Sequence, residues 1–431
     1  MKPLLSALVL ITGACFTCAS FAQLPENNAP RSEHKQTSEI TLQQALSRSL
    51  QHNPQLAGYK FRHAALSGEH TTAQLRPETR FQLEAENIAG SGEFSGVDAA
   101  ELTLSFSSII ELGGQRDART GVVTARQQQL QTERRVAVLD LVAAVNYRFI
   151  ALLAAQEQQR LEEEAQHLGQ ALVDSLVKRV QAGSTPQAEL MRARAALART
   201  GIAVDKARQQ AQEEALLLSA FWADASPDFT RAQGDLFALT NPEPLANWQT
   251  RLAQNPDLTL LGDATRLRTA ELRKADSERK LALGWNAGVR QFQQSDDTAV
   301  ILGVNIPLAA GKRASGAVQT ARAEQDAARF AEDTAKSRLE TRLNQTFIAH
   351  QQALNETLSL RDRILPLLQD ASRATASAFE QGRYSSLELA MAQRELLETR
   401  AELINAALRA HETRIELERL TASTPAQELA E

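Results

Sequence analysis

The stretch VAVLDLVAAVNYRFIAL, residues 136–152, decides the fold, and it lies inside a longer segment that runs from Gly114 to Ala182. This segment contains no proline, and past Gly121 its only glycine is Gly169. Its apolar residues follow the alternating four-and-three spacing of a coiled-coil seam. They are Val138, Val142, Val145, Phe149 and Leu152, and then Leu161, Ala165, Leu168 and Leu172. At ~1.5 Å per residue we predict a helix about 100 Å long, far longer than one compact core requires.

The long segment has a second copy later in the chain. Four short motifs recur in the same order, with offsets of 202, 197, 196 and 199 residues. They pair Asn53-Pro54-Gln55-Leu56 with Asn255-Pro256-Asp257-Leu258, Gly114-Gln115-Arg116 with Gly311-Lys312-Arg313, Thr124-Ala125-Arg126 with Thr320-Ala321-Arg322, and Gly183 with Gly382. Because the offset stays nearly constant over the whole chain, we infer a tandem duplication of about 200 residues.

Each half also contains two segments in which apolar and polar residues alternate strictly, as they do in strands. These segments are 81–85 and 102–106 in the first half, and 285–289 and 300–306 in the second. A small soluble sheet would explain one such pair. Two pairs in a secreted coiled-coil chain favour transmembrane strands, which have ~9–11 residues and one apolar face. Four strands cannot close a barrel and an open edge cannot lie in lipid, so closure requires several copies of the chain.

The fold class that we predict is therefore mainly α with a small β part. The expected organisation is a signal peptide (1–22), a flexible leader (23–38), a first repeat (39–223), a linker (224–248), a second repeat (249–422) and a tail (423–431). Each repeat contains a helix, a β-hairpin, a long helix, a turn and a further helix. The linker is assigned from its three prolines, Pro227, Pro242 and Pro244.

The N-terminus has the pattern of a secretory signal. Lys2 precedes a short apolar run, and the small residues Ser20 and Ala22 fit cleavage before Gln23. Both cysteines of the chain, Cys15 and Cys18, fall inside this segment, so the expected mature chain has no disulfide or thiol site. The alternative is lipidation of Cys15, although the preceding Thr12-Gly13-Ala14 lacks the leucine expected three residues before a lipidated cysteine.

Composition and motifs argue against several functions. The net charge of −5 with interspersed charges gives no electrostatic reason to expect nucleic acid. The sequence has no phosphate-binding loop, CxxC motif or recognisable nucleophile motif. His63 and His70 are seven residues apart, whereas helical metal ligands are usually four apart. We therefore expect no enzyme activity, no cofactor and no metal site.

The duplicated order of elements resembles the TolC family of outer-membrane efflux ducts over roughly residues 40–422. Within that family, residues 110–116 (IELGGQR) most resemble the CzcC-like heavy-metal branch. The resemblance implies a homotrimer with a 12-stranded barrel in outer-membrane lipid and a hollow coiled-coil α-barrel in the periplasm. It also implies two partners, a periplasmic adaptor protein and an inner-membrane pump. The chain departs from an even duplication at Ile110, where the second repeat has Pro307, and at Pro366, which interrupts the second long helix. Since Gly169 is the counterpart of Pro366, we expect both long helices to bend at one level.

The turns after the two long helices are the candidate docking sites. The candidate residues are Val180, Ala182, Gly183, Ser184 and Thr185 in the first turn, and Gly382, Arg383, Tyr384 and Ser385 in the second. Helix termination by glycine and a Ser-x-x-Glu cap would explain these residue types without docking. The resemblance implies that the turns meet the hairpins of the adaptor.

Glu388 and its counterpart Glu189 are the candidate residues of a periplasmic gate. The resemblance implies that an acid at the position of Glu388 lines a constricted mouth, three times around the axis of a trimer. The second acid that some relatives carry one helical turn further on is Met391 here. A solvated helix face is the alternative interpretation for Glu388.

Three functions fit the sequence. The first is a passive outer-membrane duct of a tripartite efflux system for metal ions or small toxic compounds. The second is the outer-membrane duct of type I protein secretion, which has the same architecture. The third is a soluble periplasmic coiled-coil adaptor, which would not need lipid-facing strands.

Overall fold

The computed structural model of the protein describes residues 39–239 and 243–423. The expected signal peptide, Cys15, the leader and residues 424–431 of the tail lie outside the described residues. The helices are α1 (Leu42–His52), α2 (Pro54–Gln74), α3 (Gln115–Gln181), α4 (Gln187–Ser219), α5 (Leu245–Leu252), α6 (Pro256–Ser277), α7 (Ala310–Ser359), α8 (Leu365–Glu380) and α9 (Ser386–Thr421). The strands are β1 (Glu39–Ile40), β2 (Arg80–Glu86), β3 (Glu101–Glu111), β4 (Arg231–Ala232), β5 (Ala282–Phe292) and β6 (Asp297–Asn305).

The predicted long helix is α3, which has 67 residues. Its central part is buried more widely than a coiled-coil seam, because Leu139, Leu141 and Leu153 are buried together with the seam residues. The predicted seam residues are buried in this part of the helix, and burial extends beyond them on both sides. This helix has a stretch apolar enough to cross a membrane, but half of that stretch is buried inside the protein. Its apolar character is thus explained by the core that α1, α4, α9 and the linker build around it.

Only the second long helix is interrupted. A π-helical turn, Leu360–Ile364, separates α7 from α8 and comes just before Pro366. Proline has no N–H to give to the carbonyl four residues earlier, so the helix must rearrange there. By contrast, α3 continues through Gly169 as one helix. The bend expected at Gly169 is therefore not accompanied by an interruption of α3, and the two long helices differ in this respect.

The two Asn-Pro motifs have the same local structure. Asn53 Oδ1 accepts hydrogen bonds from the backbone N–H groups at the start of α2, and Asn255 Oδ1 does the same for α6. The side-chain amide nitrogens of both asparagines donate to distant backbone carbonyls. Asn53 Nδ2 donates to the Phe221 carbonyl at 2.9 Å, and Asn255 Nδ2 donates to the Leu420 carbonyl at 2.6 Å. Each motif therefore caps one helix and ties it to the chain at the end of its half: to the short 3₁₀ turn just after α4 in the first half and to the last turn of α9 in the second.

The proline-containing linker is a packed part of the protein. Its residues Phe229, Leu236 and Trp248 are buried, and β4 pairs in parallel with β1. The expected boundary between linker and second repeat, at residue 248, falls inside α5. The segment is assigned as a linker or equatorial segment from its prolines, and its large apolar side chains pack on α3 and α9.

The four longer strands form one antiparallel sheet with the order β2-β3-β5-β6. Its two hairpins thus come from the two halves of the chain and join through β3 and β5. The strand β6 ends at Asn305, two residues before Pro307, whereas β3 continues through Ile110 to Glu111. This difference follows from the missing N–H of proline, which cannot extend a ladder.

Candidate functional sites: an apolar sheet face and two paired turns

The strand register places most of the apolar residues of the four strands on one face of the sheet. Side chains that lie directly opposite on neighbouring strands point to the same face. Three rows across the sheet are Phe81–Phe106–Ala287–Leu302, Leu83–Leu104–Val289–Val300 and Ser108–Trp285–Val304. Several of these residues are widely exposed, with Leu302 at 78% and Leu83 at 61%. Such a continuous exposed apolar face on a sheet fits contact with lipid rather than water.

The opposite face of the sheet is polar. Its clearest feature is Arg290, which contacts Glu86 at 3.0 Å and Glu101 at 2.8 Å. The same guanidinium donates a hydrogen bond to Thr103 Oγ1 at 2.9 Å. An apolar face and a polar, ion-paired face on one sheet are the arrangement of a strand set with lipid on one side and water on the other.

Strands β2 and β6 are the two edges of this sheet, and neither has a second strand partner in the described part of the chain. Unpaired backbone N–H and C=O groups cost several kcal/mol each in hydrocarbon, roughly, so such edges cannot face lipid. Edge pairing with further copies of the chain would satisfy them.

The first turn, between α3 and α4, is closed by Gly183. Its φ of 72° is in the left-handed region that favours glycine. The Gly183 N–H donates to the Val180 carbonyl at 3.0 Å and the Ser184 N–H donates to the Arg179 carbonyl at 2.9 Å. These two bonds form a Schellman motif, which satisfies the last carbonyls of α3.

The second turn, between α8 and α9, has the same backbone structure around Gly382, whose φ is 74°. The Gly382 N–H donates to the Phe379 carbonyl at 3.0 Å and the Arg383 N–H to the Ala378 carbonyl at 2.9 Å. The two turns differ in the next helix: α9 begins with a Ser385–Glu388 capping box, whereas Pro186 precedes α4 without a side-chain cap.

The two turns lie side by side and are joined by two contacts. Arg179 at the end of α3 donates to the Phe379 carbonyl at 2.5 Å, and its guanidinium lies 4.0 Å from the centre of the Phe379 ring. Ser386 Oγ at the start of α9 donates to Glu189 Oε2 at 2.5 Å. The structure therefore brings the two predicted turns together at one level.

Glu388 is exposed, and its carboxylate accepts hydrogen bonds from its own capping box. The Ser385 N–H donates to Glu388 Oε2 at 2.7 Å, and the Ser385 hydroxyl donates at 2.9 Å. These backbone and hydroxyl hydrogen bonds lower the pKa of Glu388 below its ordinary value. In the single chain Glu388 is thus a helix-capping acid, while Glu189 is half-buried and takes part in the contact between the turns.

The other predicted docking residues are mostly open to solvent. The exposed ones are Ala182, Gly183, Ser184, Gly382, Arg383, Tyr384 and Ser385, and the half-buried ones are Val180 and Thr185. Leu387 and Met391, on the first turns of α9, add two exposed apolar side chains, 67% and 61% accessible. The neighbourhood of the second turn is therefore more apolar than that of the first.

Sequence reasoning missed the residues that join the turns, namely Arg179, Phe379 and Ser386. A basic residue in the last turn of a helix is common, and a serine after a cap is unremarkable, so neither carries a local signal. Their roles come from the packing of α3 against α8 and α9. Within the described ranges, no three or more His, Cys, Asp or Glu side chains come together in a way that could hold a metal ion.

Two histidines lie away from the turns, where α7, α9 and the linker meet; His350 is buried and His411 is half-buried. His411 Nε2 is 2.9 Å from the Leu236 carbonyl, and His350 Nδ1 is 3.1 Å from the Ala410 carbonyl. A carbonyl can only accept, so these ring nitrogens carry hydrogens. Burial lowers the pKa of both imidazoles below the ordinary value.

Comparison with known proteins gives one matching family profile and several relatives. The family profile described as "Outer membrane efflux protein" matches residues 248–423. The "Cobalt-zinc-cadmium resistance protein CzcC" of Cupriavidus metallidurans is 25% identical over 364 residues, which are 84% of this chain and 85% of that protein. The "Nickel-cobalt-cadmium resistance protein NccC" of Alcaligenes xylosoxydans xylosoxydans is 28% identical over 62% of this chain and 60% of that protein. The fold is similar to that of the Campylobacter jejuni CmeC outer membrane channel, with a TM-score of 0.74, 13% identity, and coverage of 88% of this chain and 85% of that chain.

Proposed function

We propose that this chain, which belongs to the outer membrane efflux protein family and is an outer-membrane efflux channel, exports heavy-metal cations as the outer part of a tripartite system. The single observation that carries the proposal is the junction of two unlike parts in one chain. A sheet with an apolar outer face continues directly into helices about 100 Å long, whose ends form two exposed turns. One part fits the membrane and the other reaches across an aqueous space.

The cargo is proposed from the relatives. The names of the two resistance proteins refer to divalent transition metals: cobalt, zinc and cadmium in one, and nickel, cobalt and cadmium in the other. A duct contacts a passing ion only briefly, so it needs no resident metal site. Energy for transport would come from an inner-membrane pump, and the duct itself would hydrolyse nothing.

The assembly is proposed to be a homotrimer. The unpaired edges β2 and β6 support it, because three copies of a four-stranded sheet would close one 12-stranded barrel. In this trimer the polar face of the sheet, with Arg290 and its two glutamates, would line the water-filled interior.

The paired turns are proposed to be the docking site of a periplasmic adaptor protein. The support is their exposure, their distance from the sheet and the exposed apolar side chains Tyr384, Leu387 and Met391 around the second turn. Glu388 and Glu189 are proposed to line the gate, where Glu388 would supply one carboxylate per subunit and Glu189 would fix the neighbouring turn through Ser386.

The two alternative functions make different demands on the chain. A soluble adaptor does not need four strands with a continuous apolar face, so the sheet disfavours that interpretation. A type I secretion duct would have the same sheet and helices, and only the cargo separates it from a metal exporter.

The experiment is a deletion of this chain in a bacterium that retains its pump and adaptor. We expect the minimal inhibitory concentrations of Zn²⁺, Co²⁺ and Cd²⁺ to fall and cell-associated metal to rise, with recovery when the wild-type chain is supplied. Unchanged metal tolerance together with loss of a secreted protein from the medium would instead identify a secretion duct. Sarkosyl fractionation of the same cells tests the location independently.

A further inference from the structure

A groove opens at the junction between the sheet and the long helix, on the apolar side of the sheet. It has a volume of about 550 Å³ and is lined by the apolar side chains of Ile110 and Trp285 and by the basic side chains of Arg76 and Arg116. Ile110 and Trp285 both belong to the apolar face. Trp285 lies in the row Ser108–Trp285–Val304, and Ile110 lies in the next row toward the helix end of the strands. The groove therefore continues directly from the surface that meets hydrocarbon.

The charge of this groove is positive. The guanidinium of Arg76 is exposed and has no carboxylate within ion-pair distance among residues 39–239 and 243–423. Arg116 is also exposed, and its nearest acid is Asp117 at 3.8 Å, which is itself 84% exposed. Glu111, the other acid of the groove, is occupied by Arg119, which contacts it through two hydrogen bonds of 2.5 and 3.3 Å. The groove therefore has two arginine side chains, Arg76 and Arg116, and only one solvent-exposed acid, Asp117, to balance their charge.

The opposite end of the sheet has the reverse charge. The loop between β2 and β3 contains Glu93 and Asp98 and no Lys or Arg, and the turn between β5 and β6 contains Asp296, followed by Asp297 at the start of β6. Apart from Arg290, which is paired with Glu86 and Glu101, the basic residues near the sheet lie at the helix end of the strands, where the chain leaves the membrane for the periplasm. Lys280, whose side chain packs against Gly113, adds a further positive charge at this end.

We propose that this groove binds the phosphate headgroup of a glycerophospholipid from the inner leaflet of the outer membrane. Arg76 and Arg116 would hold the phosphate, since guanidinium groups match phosphate oxygens with paired hydrogen bonds. Trp285 lies at the boundary between apolar and polar surroundings, the position that tryptophan prefers in membrane proteins. Acyl chains would continue along Ile110 and Phe106. A free phosphate ion would leave these apolar neighbours unexplained.

The inference rests on the outer-membrane location of the sheet and goes beyond the duct function. Its consequence is mechanical: three bound headgroups per trimer would fix the height of the sheet in the bilayer at the point where α3 begins. A load applied through the long helices would then be resisted at the membrane surface.

The test is native mass spectrometry of the full-length protein, purified in mild detergent and titrated with phosphatidylglycerol. We expect up to three bound lipids per trimer for the wild type. The double variant R76Q/R116Q should bind at least about tenfold more weakly, because it removes the charge-assisted hydrogen bonds. The matched control is Arg80→Gln, which removes an exposed arginine at the same level on the polar face of the sheet and should leave binding unchanged.

The same spectrum separates the possible outcomes. Equal lipid binding by R76Q/R116Q and the wild type, or an equal loss in Arg80→Gln, would overturn the headgroup site while leaving the channel assignment intact. A wild-type protein that is a lipid-free soluble monomer would overturn both. If the double variant fails to assemble, the single variants Arg76→Gln and Arg116→Gln decide, and each should lower lipid occupancy. The variant R76K/R116K, which keeps the charges, should recover part of the binding.

Discussion

Ser386 Oγ donates a hydrogen bond to Glu189 Oε2 at 2.5 Å, and this contact joins the start of α9 to the start of α4. The two residues are 197 positions apart in the chain, close to the offset of the duplication. Each follows a glycine turn, so the contact couples the two turns of the chain. Together with the contact between Arg179 and Phe379, it holds the two turns together.

We predict that Ser386→Ala loosens both turns. A single hydrogen bond to a charged group contributes roughly 1 kcal/mol or more, so backbone amides around Gly183 and Gly382 should exchange about fivefold faster. Hydrogen exchange read by mass spectrometry would measure this. Ser184→Ala is the control, because the Ser184 hydroxyl binds only the Arg179 carbonyl of its own turn. Faster exchange confined to the second turn would show that the contact does not couple them.

Glu388→Gln is predicted to separate the gate charge from the helix cap. Glutamine can still accept the hydrogen bonds of a capping box, but it carries no charge. If Glu388 lines the mouth of the trimer, the reversal potential in a KCl gradient should shift toward lower cation selectivity, while turn stability stays the same. Glu388→Ala should lose both the charge and the cap. Wild-type selectivity in both variants would leave Glu388 with the capping role alone.

The charge of Glu388 also predicts a pH effect. Its folded pKa lies below the ordinary value because of the Ser385 hydrogen bonds. The stability that the cap adds is therefore present above the ordinary carboxyl pKa of about 4.3 and is lost as the pH falls through the folded pKa. The protection of the backbone amides at the start of α9, relative to their intrinsic exchange rates at each pH, should fall below the folded pKa of Glu388 in the wild type. In Glu388→Gln this protection should not change with pH.

Leu104→Arg is predicted to disrupt membrane assembly. Leu104 lies in the apolar row Leu83–Leu104–Val289–Val300, and an arginine at mid-bilayer costs roughly 2–4 kcal/mol. Urea unfolding of the protein in lipid vesicles should show this loss. Gln82→Arg, on the polar face of the same sheet, should cost much less. Equal costs would mean that the apolar face does not meet lipid.

Acidification is predicted to weaken the junction of α7, α9 and the linker. Burial lowers the pKa of His411, with Arg414 acting in the same direction and Asp235 and Glu418 acting against it. A His with a lowered folded pKa adds stability that is present above about pH 6.5 and is lost as the pH falls through the folded pKa. The melting temperature should therefore fall between pH 7.5 and pH 5.

His411→Gln should remove part of this pH dependence. The glutamine amide can replace the imidazole as donor to the Leu236 carbonyl, but it does not titrate. His350, whose pKa is lowered by burial in the same way, should account for a further part. His167→Gln is the control, because His167 is exposed on α3 and should leave the pH profile unchanged. An unaltered profile in His411→Gln would place the acid-sensitive group elsewhere.

The sequence by itself determined the elements and their order. The proline-free segment behind Gly114 became one 67-residue helix, the alternating segments became strands, and the glycines at 183 and 382 ended helices in the left-handed conformation. The Ser385–Glu388 capping box is present as expected, and the Asn-Pro motifs that marked the duplication also cap helices, at Asn53 and Asn255. These features are local: they depend on side-chain period, backbone freedom and hydrogen bonds over three or four residues, and all of these are written in the order of the residues.

Only the tertiary structure decided which distant groups meet. Nothing in the composition indicated that the proline-rich linker would bury Leu236, that β3 would pair with β5, or that Arg179 would reach Phe379. The wide burial of α3 around Leu141 also exceeded its heptad pattern, because several elements pack on the same stretch. These contacts depend on the relative placement of elements up to 200 residues apart. That placement is set by the summed burial of many side chains rather than by any short motif.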